Sequence, residues 1–146
     1  MARQARDIMT PDPARCTANT PVDEVAKLMV HNNCGEIPVV DAADRVIGVV
    51  TDRDIVCRVV ATGKNPIGHT AAECMSTAVV TVAPTTPLGD VIATMEKHQI
   101  RRVPVVDDSG CCSGIIAQAD LARTESEQKV GELVREVSQD PGSSSR

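Results

Sequence analysis

The sequence predicts an α/β (α+β) fold that is built twice. Residues 7–54 align without a gap on residues 73–120, at a constant offset of 66. Within each copy the hydrophobic pattern alternates between short apolar strands and amphipathic helices. The chain has no Phe, Trp or Tyr, so its core must consist of aliphatic residues, Met and Ala. A gapless repeat of this length indicates two similar units, each of which alone would bury only a small core.

Each copy predicts the order strand–helix–strand–strand–helix. Thr20 and Pro21 mark the first helix start, with Thr20 as the N-cap and Pro21 as the first helical residue. The elements expected in the first copy are a strand near 14–17, a helix to about Asn32, strands at 37–40 and 46–50, and a helix from near Asp52. Those expected in the second copy are a strand near 79–82, a helix after Thr86-Pro87 to His98, strands at 103–106 and 114–116, and a helix from about Gln118.

The repeat divides the chain into three segments. We expect repeat one to cover residues 1–65 and repeat two to cover residues 66–124. The remaining residues, 125–146, are expected to form an amphipathic helix followed by a disordered tail with the sequence PGSSSR. The helix is indicated by apolar residues at i, i+3, i+4 and i+7, namely Val130, Leu133, Val134 and Val137.

The composition argues against nucleic acids and membranes as partners. The formal net charge is −5 and no basic run is present, whereas binding to phosphate backbones needs clustered Lys and Arg. The chain also has no Phe, Trp or Tyr ring to stack on a base. No apolar run approaches the length of a membrane span, and the N-terminus lacks an apolar signal region. We therefore expect a cytoplasmic protein.

The cysteines and histidines predict no metal site. Six cysteines are scattered along the chain without a CxxC pair, and the three histidines have no ligand spacing relative to them. In a reducing compartment such cysteines are expected to be small buried hydrophobic residues. The adjacent pair Cys111 and Cys112 leaves a redox response open as an alternative.

The segment GVVTDRD at 48–54 is the most informative candidate site. It places Thr51 and Asp54 at a strand-to-helix junction, where unpaired backbone amides favour an anion. A carboxylate can accept hydrogen bonds from both hydroxyls of a ribose while a nearby threonine donates or accepts. The same spacing also fits a capping box with Thr51 as the N-cap. The residues alone leave these two interpretations open.

The motifs together carry a resemblance to a known family. Each copy starts with DIMT or a variant of it, has IPVVD or VPVVD before a hairpin, and ends with GVVTDRD or GIIAQAD. A repeat with these motifs resembles the CBS domain, named after cystathionine β-synthase, and the tandem pair resembles a Bateman module over residues 7–123. The resemblance implies two repeats packed about a pseudo-twofold axis, with nucleotide clefts between them.

The resemblance implies one good site and one degenerate site. In the family a Ser/Thr-x-x-Asp motif holds the ribose, which here is Thr51 and Asp54. Basic side chains before the strand of the other copy meet the phosphate, which here are Arg101 and Arg102. The second copy keeps Asp120 but has Ala117 in place of the hydroxyl, and it would face Gly35 and Glu36 instead of arginines. Arg53 is assigned to this second, degenerate cleft.

Aliphatic residues are expected to form the wall against the base. By analogy they come from the first strand and from the IPVVD segment, namely Cys16, Thr17, Ile37, Pro38 and Val39. Ordinary core packing is the alternative for each of them. For Arg101 and Arg102 the alternative is a solvated pair near a helix end.

We therefore expect a stand-alone regulatory module that senses AMP, ADP or ATP. It is expected to need no cofactor and to have no catalytic residues, because no catalytic triad, P-loop or metal cluster is visible. The family resemblance also implies a homodimer and an unidentified regulated protein. The alternative is an interaction module without a nucleotide, which works through dimerisation or a redox response.

Overall fold

The computed structural model describes residues 3–124, which form two compact units. Within these residues, unit 1 comprises 3–11, 80–105 and 113–124, and unit 2 comprises 12–79 and 106–112. The amphipathic stripe and the tail expected at 125–146 lie outside the described residues. Each unit thus contains segments of both sequence repeats, which the sequence places at residues 1–65 and 66–124.

The element order is the α+β pattern that the sequence predicts. The elements in chain order are α1 Ala5–Ile8, β1 Thr10–Pro11, α2 Val22–Asn32, β2 Glu36–Val40, β3 Val46–Thr51, α3 Asp52–Ile55, α4 Leu88–His98, β4 Arg102–Val106, β5 Cys112–Ala117 and α5 Gln118–Thr124. Helix α3 continues into a wider π-type turn at Val56–Val60, and short 3-10 turns lie at Pro66–Gly68 and Ala71–Glu73. No helix in residues 3–124 is long and apolar enough to cross a lipid bilayer.

Unit 2 is built around the antiparallel hairpin of β2 and β3. Its register places Glu36 opposite Thr51 and Pro38 opposite Val49. Cys16 adds a parallel bridge on one side of the hairpin, and Ser76 adds an antiparallel bridge to Val49 on the other. Helix α2 covers one face of this sheet, and the buried residues there include Val22, Val25, Met29, Ile37, Val39 and Val50.

Unit 1 repeats this arrangement with the sheet order β1-β5-β4. Thr10 in β1 pairs with Ile115, and Val82 forms a parallel bridge to Val105 at the other side. The core of unit 1 contains residues of α4, β4, β5 and α5, including Leu88, Val91, Met95, Val103, Ile116 and Leu121. All of these are aliphatic or Met, as the absence of aromatic residues requires.

Each unit takes its edge segment from the start of the other sequence repeat. Thr10 and Ser76 occupy equivalent positions, since they are 66 residues apart, and they pair with β5 and β3 respectively. The methionine before each of these residues packs against a glycine: the side chain of Met9 contacts Gly114, and that of Met75 contacts Gly48. A Cβ at Gly114 would lie 2.8 Å from the carbonyl oxygen of Thr10, so only glycine fits without a shift.

Residues 106–112 belong to unit 2 because they pair with the turn between β2 and β3. The N–H of Val46 donates to the carbonyl of Gly110 at 3.0 Å, and the N–H of Cys112 donates to the carbonyl of Asp44 at 3.1 Å. These bonds flank a bridge between Arg45 and Cys111, which are also 66 residues apart. Arg45 and Cys111, which occupy equivalent positions in the two sequence repeats, are therefore paired as bridge partners here.

Two local expectations need correction. The strands expected near 14–17 and 79–82 shorten to single bridging residues, Cys16 and Val82. Thr20 is not a helix cap, because its hydroxyl accepts the N–H of Thr17 at 3.0 Å and closes a turn before the helix. Thr86 does the same with Ala83. Pro21 is the N-cap of α2, and this helix begins at Val22.

Candidate functional site

The junction between β3 and α3 holds Thr51 and Asp54 in a reciprocal pair of hydrogen bonds. The N–H of Thr51 donates to Oδ2 of Asp54 at 2.9 Å, and the N–H of Asp54 donates to Oγ1 of Thr51 at 3.1 Å. This is the capping box that the sequence left open. It fixes both side chains, and it leaves the threonine hydroxyl as a donor and Oδ1 of the carboxylate as an acceptor.

Two charged side chains of unit 2 lie beside this junction. The side chain of Asp54 is 14% exposed, and its Oδ1 lies 3.8 Å from Nε of Arg58. Glu36 is the cross-strand neighbour of Thr51, so the two side chains project from the same face of the sheet. Glu36 was expected only in the second cleft, whereas the register places it beside the first Thr-x-x-Asp motif.

The second junction, between β5 and α5, keeps half of this arrangement. The N–H of Ala117 donates to Oδ2 of Asp120 at 2.8 Å, as Thr51 does to Asp54. Ala117 has no hydroxyl, so the return bond to the backbone of residue 120 cannot form. Asp120 is buried and its Oδ1 contacts Nη2 of Arg123. The carboxylate is therefore retained here, but the reciprocal box is lost.

The basic candidates fall into different units. Arg101 and Arg102 belong to unit 1, where the carbonyl of Arg101 accepts the N–H of Gln118 at 2.9 Å. Arg101 is exposed and Arg102 is half-buried at the first position of β4. Arg53 is exposed in unit 2, and its N–H donates to Oδ1 of Asp52 at 2.8 Å. The phosphate role of all three stays a prediction.

Strand alternation separates the residues that were expected to form the base wall. The side chains of Cys16, Ile37 and Val39 are buried in the core of unit 2. The register puts Pro38 on the other face, with Thr51. Thr17 is exposed. Pro38 is buried on that face, so Thr17 is the exposed member of the set. Cys16, Ile37 and Val39 are committed to core packing.

Arg15 fixes the segment that leads into Cys16 and Thr17. Its Nη1 donates to both carboxylate oxygens of Asp44 at 2.7 Å, and its Nη2 pairs with Asp12 at 2.5 Å. The bond to Asp44 is the main reason that the pKa of Arg15 is raised. The candidate wall is therefore anchored to the turn between β2 and β3.

Three thiols are held in the protonated form. Burial, with a smaller contribution from Cys74, raises the pKa of the Cys16 thiol to about 11. Burial and then the charge of Asp54 raise the pKa of Cys74, while Arg58 acts in the opposite direction. Burial and then Asp107 raise the pKa of Cys111. A raised pKa lowers the thiolate fraction, so these thiols are poor candidates for a redox response.

Sequence reasoning missed Arg58. It follows Asp54 by four residues in the same helical segment, the spacing at which oppositely charged side chains meet. That i, i+4 pattern was visible in the sequence. The pattern alone does not indicate a functional arginine, because exposed ion pairs at this spacing are common on helices and usually weak.

Comparison with known proteins identifies the family. The model of the CBS domain matches residues 5–61 and again residues 71–127. The chain belongs to the CBS domain family. The two matches correspond to the two sequence repeats and together cover most of the chain.

The relatives of this CBS-domain chain include full-length and partial matches. It is 38% identical over 135 residues to the CBS domain-containing protein YhcV of Bacillus subtilis, covering 91% of this chain and 94% of that protein. It is 34% identical over 120 residues to an uncharacterised protein of Methanopyrus kandleri, covering 82% of this chain. That match spans only 59% of the Methanopyrus protein.

Three solved CBS structures are similar in fold. Hypoxic Response Protein I with two coordinated zinc ions has a TM-score of 0.78 and 32% identity, over 85% of this chain and 100% of that one. The CBS domain pair of MJ0100 with 5′-methylthioadenosine and S-adenosylmethionine has a TM-score of 0.76 and 30% identity, over 84% and 95%. CBSX2 with AMP has a TM-score of 0.72 and 26% identity, over 82% and 93%; CBSX2 is an Arabidopsis thaliana protein.

Within residues 3–124, no group of three or more His, Cys, Asp or Glu side chains is arranged to hold a metal ion.

Proposed function

We propose that this chain is a regulatory module that binds an adenosine nucleotide, AMP, ADP or ATP, with the ribose at the Thr51–Asp54 junction. The observation that carries the proposal is the reciprocal box, which presents a fixed carboxylate and a fixed hydroxyl at the end of β3. Two adjacent ribose hydroxyls can both donate to one carboxylate, and such charge-assisted bonds are stronger than neutral ones. The module senses a ligand and passes its occupancy to a partner protein.

Arg101 and Arg102 are proposed to bind the phosphate of the same ligand. Guanidinium groups suit phosphate because their forked donors match its oxygens. The second junction is proposed to be degenerate, because Ala117 supplies no hydroxyl and Asp120 is buried beside Arg123. Arg53 stays assigned to that second site.

The ligands of similar proteins support an adenosine-type ligand. MJ0100 was solved with methylthioadenosine and S-adenosylmethionine, and CBSX2 was solved with AMP. Both share the paired CBS fold with this chain. These ligands have adenosine in common and differ at the 5′ position, so the comparison favours the nucleoside part more strongly than any particular 5′ group.

Calorimetric titration of the full chain tests the proposal. We expect AMP, ADP or ATP to bind, at about one nucleotide per chain, and S-adenosylmethionine serves as the competing ligand class. The absence of aromatic residues makes a second observation simple, because a nucleotide that copurifies dominates the absorbance at 260 nm. Failure of every adenosine compound to bind would refute the proposal.

An interaction module is the second candidate, and one observation favours it. Three valines on the helical segments of unit 2 are strongly exposed: Val30 at 79%, Val56 at 57% and Val60 at 56%. Val56 and Val60 are four residues apart in one helical segment, and neighbouring exposed apolar side chains are typical of interfaces. A homodimer is the partner that we propose. Light scattering should show a dimer for the native chain and a shift towards monomer for the double variant Val56→Glu/Val60→Glu. An unchanged mass would exclude these valines as the interface.

A further inference from the structure

Arg58 joins the proposed ribose carboxylate to a distant stretch of backbone. Its Nη1 donates to the carbonyl oxygens of Cys74 and Met75, both at 3.3 Å. Its Nε lies 3.8 Å from Oδ1 of Asp54. One guanidinium group therefore bridges two carbonyls and one carboxylate, and the carbonyls follow directly after the 3-10 turn at Ala71–Glu73.

The two oxygens of Asp54 have different neighbours. Oδ2 is held by the backbone N–H of Thr51, and Oδ1 faces the guanidinium of Arg58. An isolated Arg–Asp pair on a helix surface has little fixed geometry. Here the bonds to Cys74 and Met75 restrict the arginine, so its positive charge attracts Oδ1 from a fixed position and, together with the Thr51 N–H on Oδ2, restrains the plane of the carboxylate. A fixed plane matters to a ligand that needs both oxygens at once.

The second junction lacks this anchored arginine. The position equivalent to Arg58 is residue 124, a threonine. Asp120 instead meets Arg123, which approaches from i+3 and has a side chain that is 67% exposed. The two junctions therefore differ in how the carboxylate is supported, in addition to the exchange of Thr51 for Ala117.

We propose that Arg58 is a positioning residue of the ligand site, which orients Asp54 so that it accepts both the 2′- and the 3′-hydroxyl of a ribose. This inference rests on the proposed binding of a nucleotide at Thr51 and Asp54. It specifies the ligand further, because the site then selects nucleosides with a free 2′,3′-diol. Arg58 itself need not touch the ligand, since it acts through Asp54.

The test compares AMP with 2′,3′-dideoxy-AMP in calorimetric titrations of the full chain. We expect the native chain to bind AMP about 10-fold or more tightly than 2′,3′-dideoxy-AMP, because a hydrogen bond to a charged group contributes about that much affinity. Arg58→Ala should reduce that preference to about 2-fold, mainly by weakening AMP. Arg58→Lys should restore part of it. The control is Arg45→Ala, which removes another exposed arginine paired with an aspartate four residues away, and should keep the full preference.

The ratio of the affinities for AMP and for the dideoxy analogue, here called the diol preference, distinguishes a positioning role of Arg58 from a general structural role. Damage to the fold would weaken AMP and the dideoxy analogue equally, so the preference would survive in Arg58→Ala. That result, or a preference that increases, would overturn the role of Arg58 while leaving the nucleotide site intact. If neither compound binds to the native chain, the proposed function fails, and this inference fails with it. Circular dichroism of each variant confirms that the fold is retained.

Discussion

Asp54 can serve the fold and the proposed ligand at the same time, because each carboxylate oxygen accepts more than one hydrogen bond. Oδ2 accepts the N–H of Thr51 and closes the helix start, while Oδ1 is directed towards Arg58. The capping box and the ribose grip are thus compatible at this junction, although the sequence presented them as alternatives. A carboxylate that is already fixed by the fold loses little conformational freedom when a ligand binds.

Thr51 should contribute to stability as well as to binding. Thr51→Ala removes the acceptor for the N–H of Asp54 and should lower the free energy of unfolding by about 1 kcal/mol. Thr51→Ser keeps the acceptor and should cost less. Urea unfolding followed by far-UV circular dichroism measures this, because the chain offers no Trp or Tyr fluorescence. Equal losses in the two variants would show that the hydroxyl bond is not the stabilising contact.

Cys16 should make the fold sensitive to alkaline pH. Its pKa is raised from 9.0 to about 11 by burial, so the unfolded chain ionises first as the pH rises. The free energy of unfolding should therefore fall between about pH 9 and pH 11, where only the unfolded thiol is charged. Cys16→Ala should be less stable at pH 8 but should show a shallower decline above pH 9. An identical pH profile in both proteins would contradict the burial of this thiol.

The sequence predicted the residues of the first junction, but it could not predict how they are supported. Thr51 and Asp54 followed from spacing at a strand-to-helix boundary. The roles of Cys74 and Met75 depend on a backbone contact to Arg58 across 16 and 17 residues, which leaves no periodic signal. Residues 37–40 are all apolar and all buried, so alternation alone could not show that Ile37 and Val39 form the helix-covered face.

At the scale of elements, the long helices and the hairpin strands followed the hydrophobic pattern closely. The sequence predicted the helix end at His98 and both hairpins, because periodicity is strong there. The short strands near Cys16 and Val82 were overestimated. Only one residue of each segment bonds to the sheet, and pairing of this kind is decided by tertiary contacts rather than by local propensity.

The methionine–glycine contacts give an element-level prediction. Gly114→Ala should destabilise the fold by about 1–3 kcal/mol, because its Cβ would lie 2.8 Å from both the Thr10 carbonyl oxygen and Cγ of Met9. Gly48→Ala should cost less, since its nearest backbone atom is the Ser76 oxygen at 3.0 Å. Gly68→Ala meets nothing within 4 Å and is the matched control. Thermal melts that rank the three variants differently would contradict this packing.

At the scale of the whole molecule, the sequence repeats and the compact units do not coincide. Residues 3–11 of the first repeat belong to unit 1, and residues 66–79 of the second repeat belong to unit 2. The sequence could not predict this exchange, because a gapless duplication shows which residues correspond but not which copy they join. Cutting the chain between the repeats would therefore remove buried residues such as Ala5 from unit 1.

Fragments made at the repeat boundary should fold poorly. The fragment 66–146 lacks Ala5, Met9 and strand β1, all of which belong to unit 1. The fragment 1–65 lacks Met75 and Ser76, which complete unit 2. Each should give broad, low-temperature melts by circular dichroism, and mixing the two should restore a cooperative transition. Two independently stable fragments would contradict the exchange of segments.

The central claim is that the two equivalent junctions are functionally unequal. It is tested most directly by titrating AMP into the native chain and into the matched variants Asp54→Ala and Asp120→Ala. We predict about one AMP per native chain, a loss of affinity of about 10- to 100-fold in Asp54→Ala, and little change in Asp120→Ala. Two equal sites in the native chain, or equal effects of the two substitutions, would contradict the account.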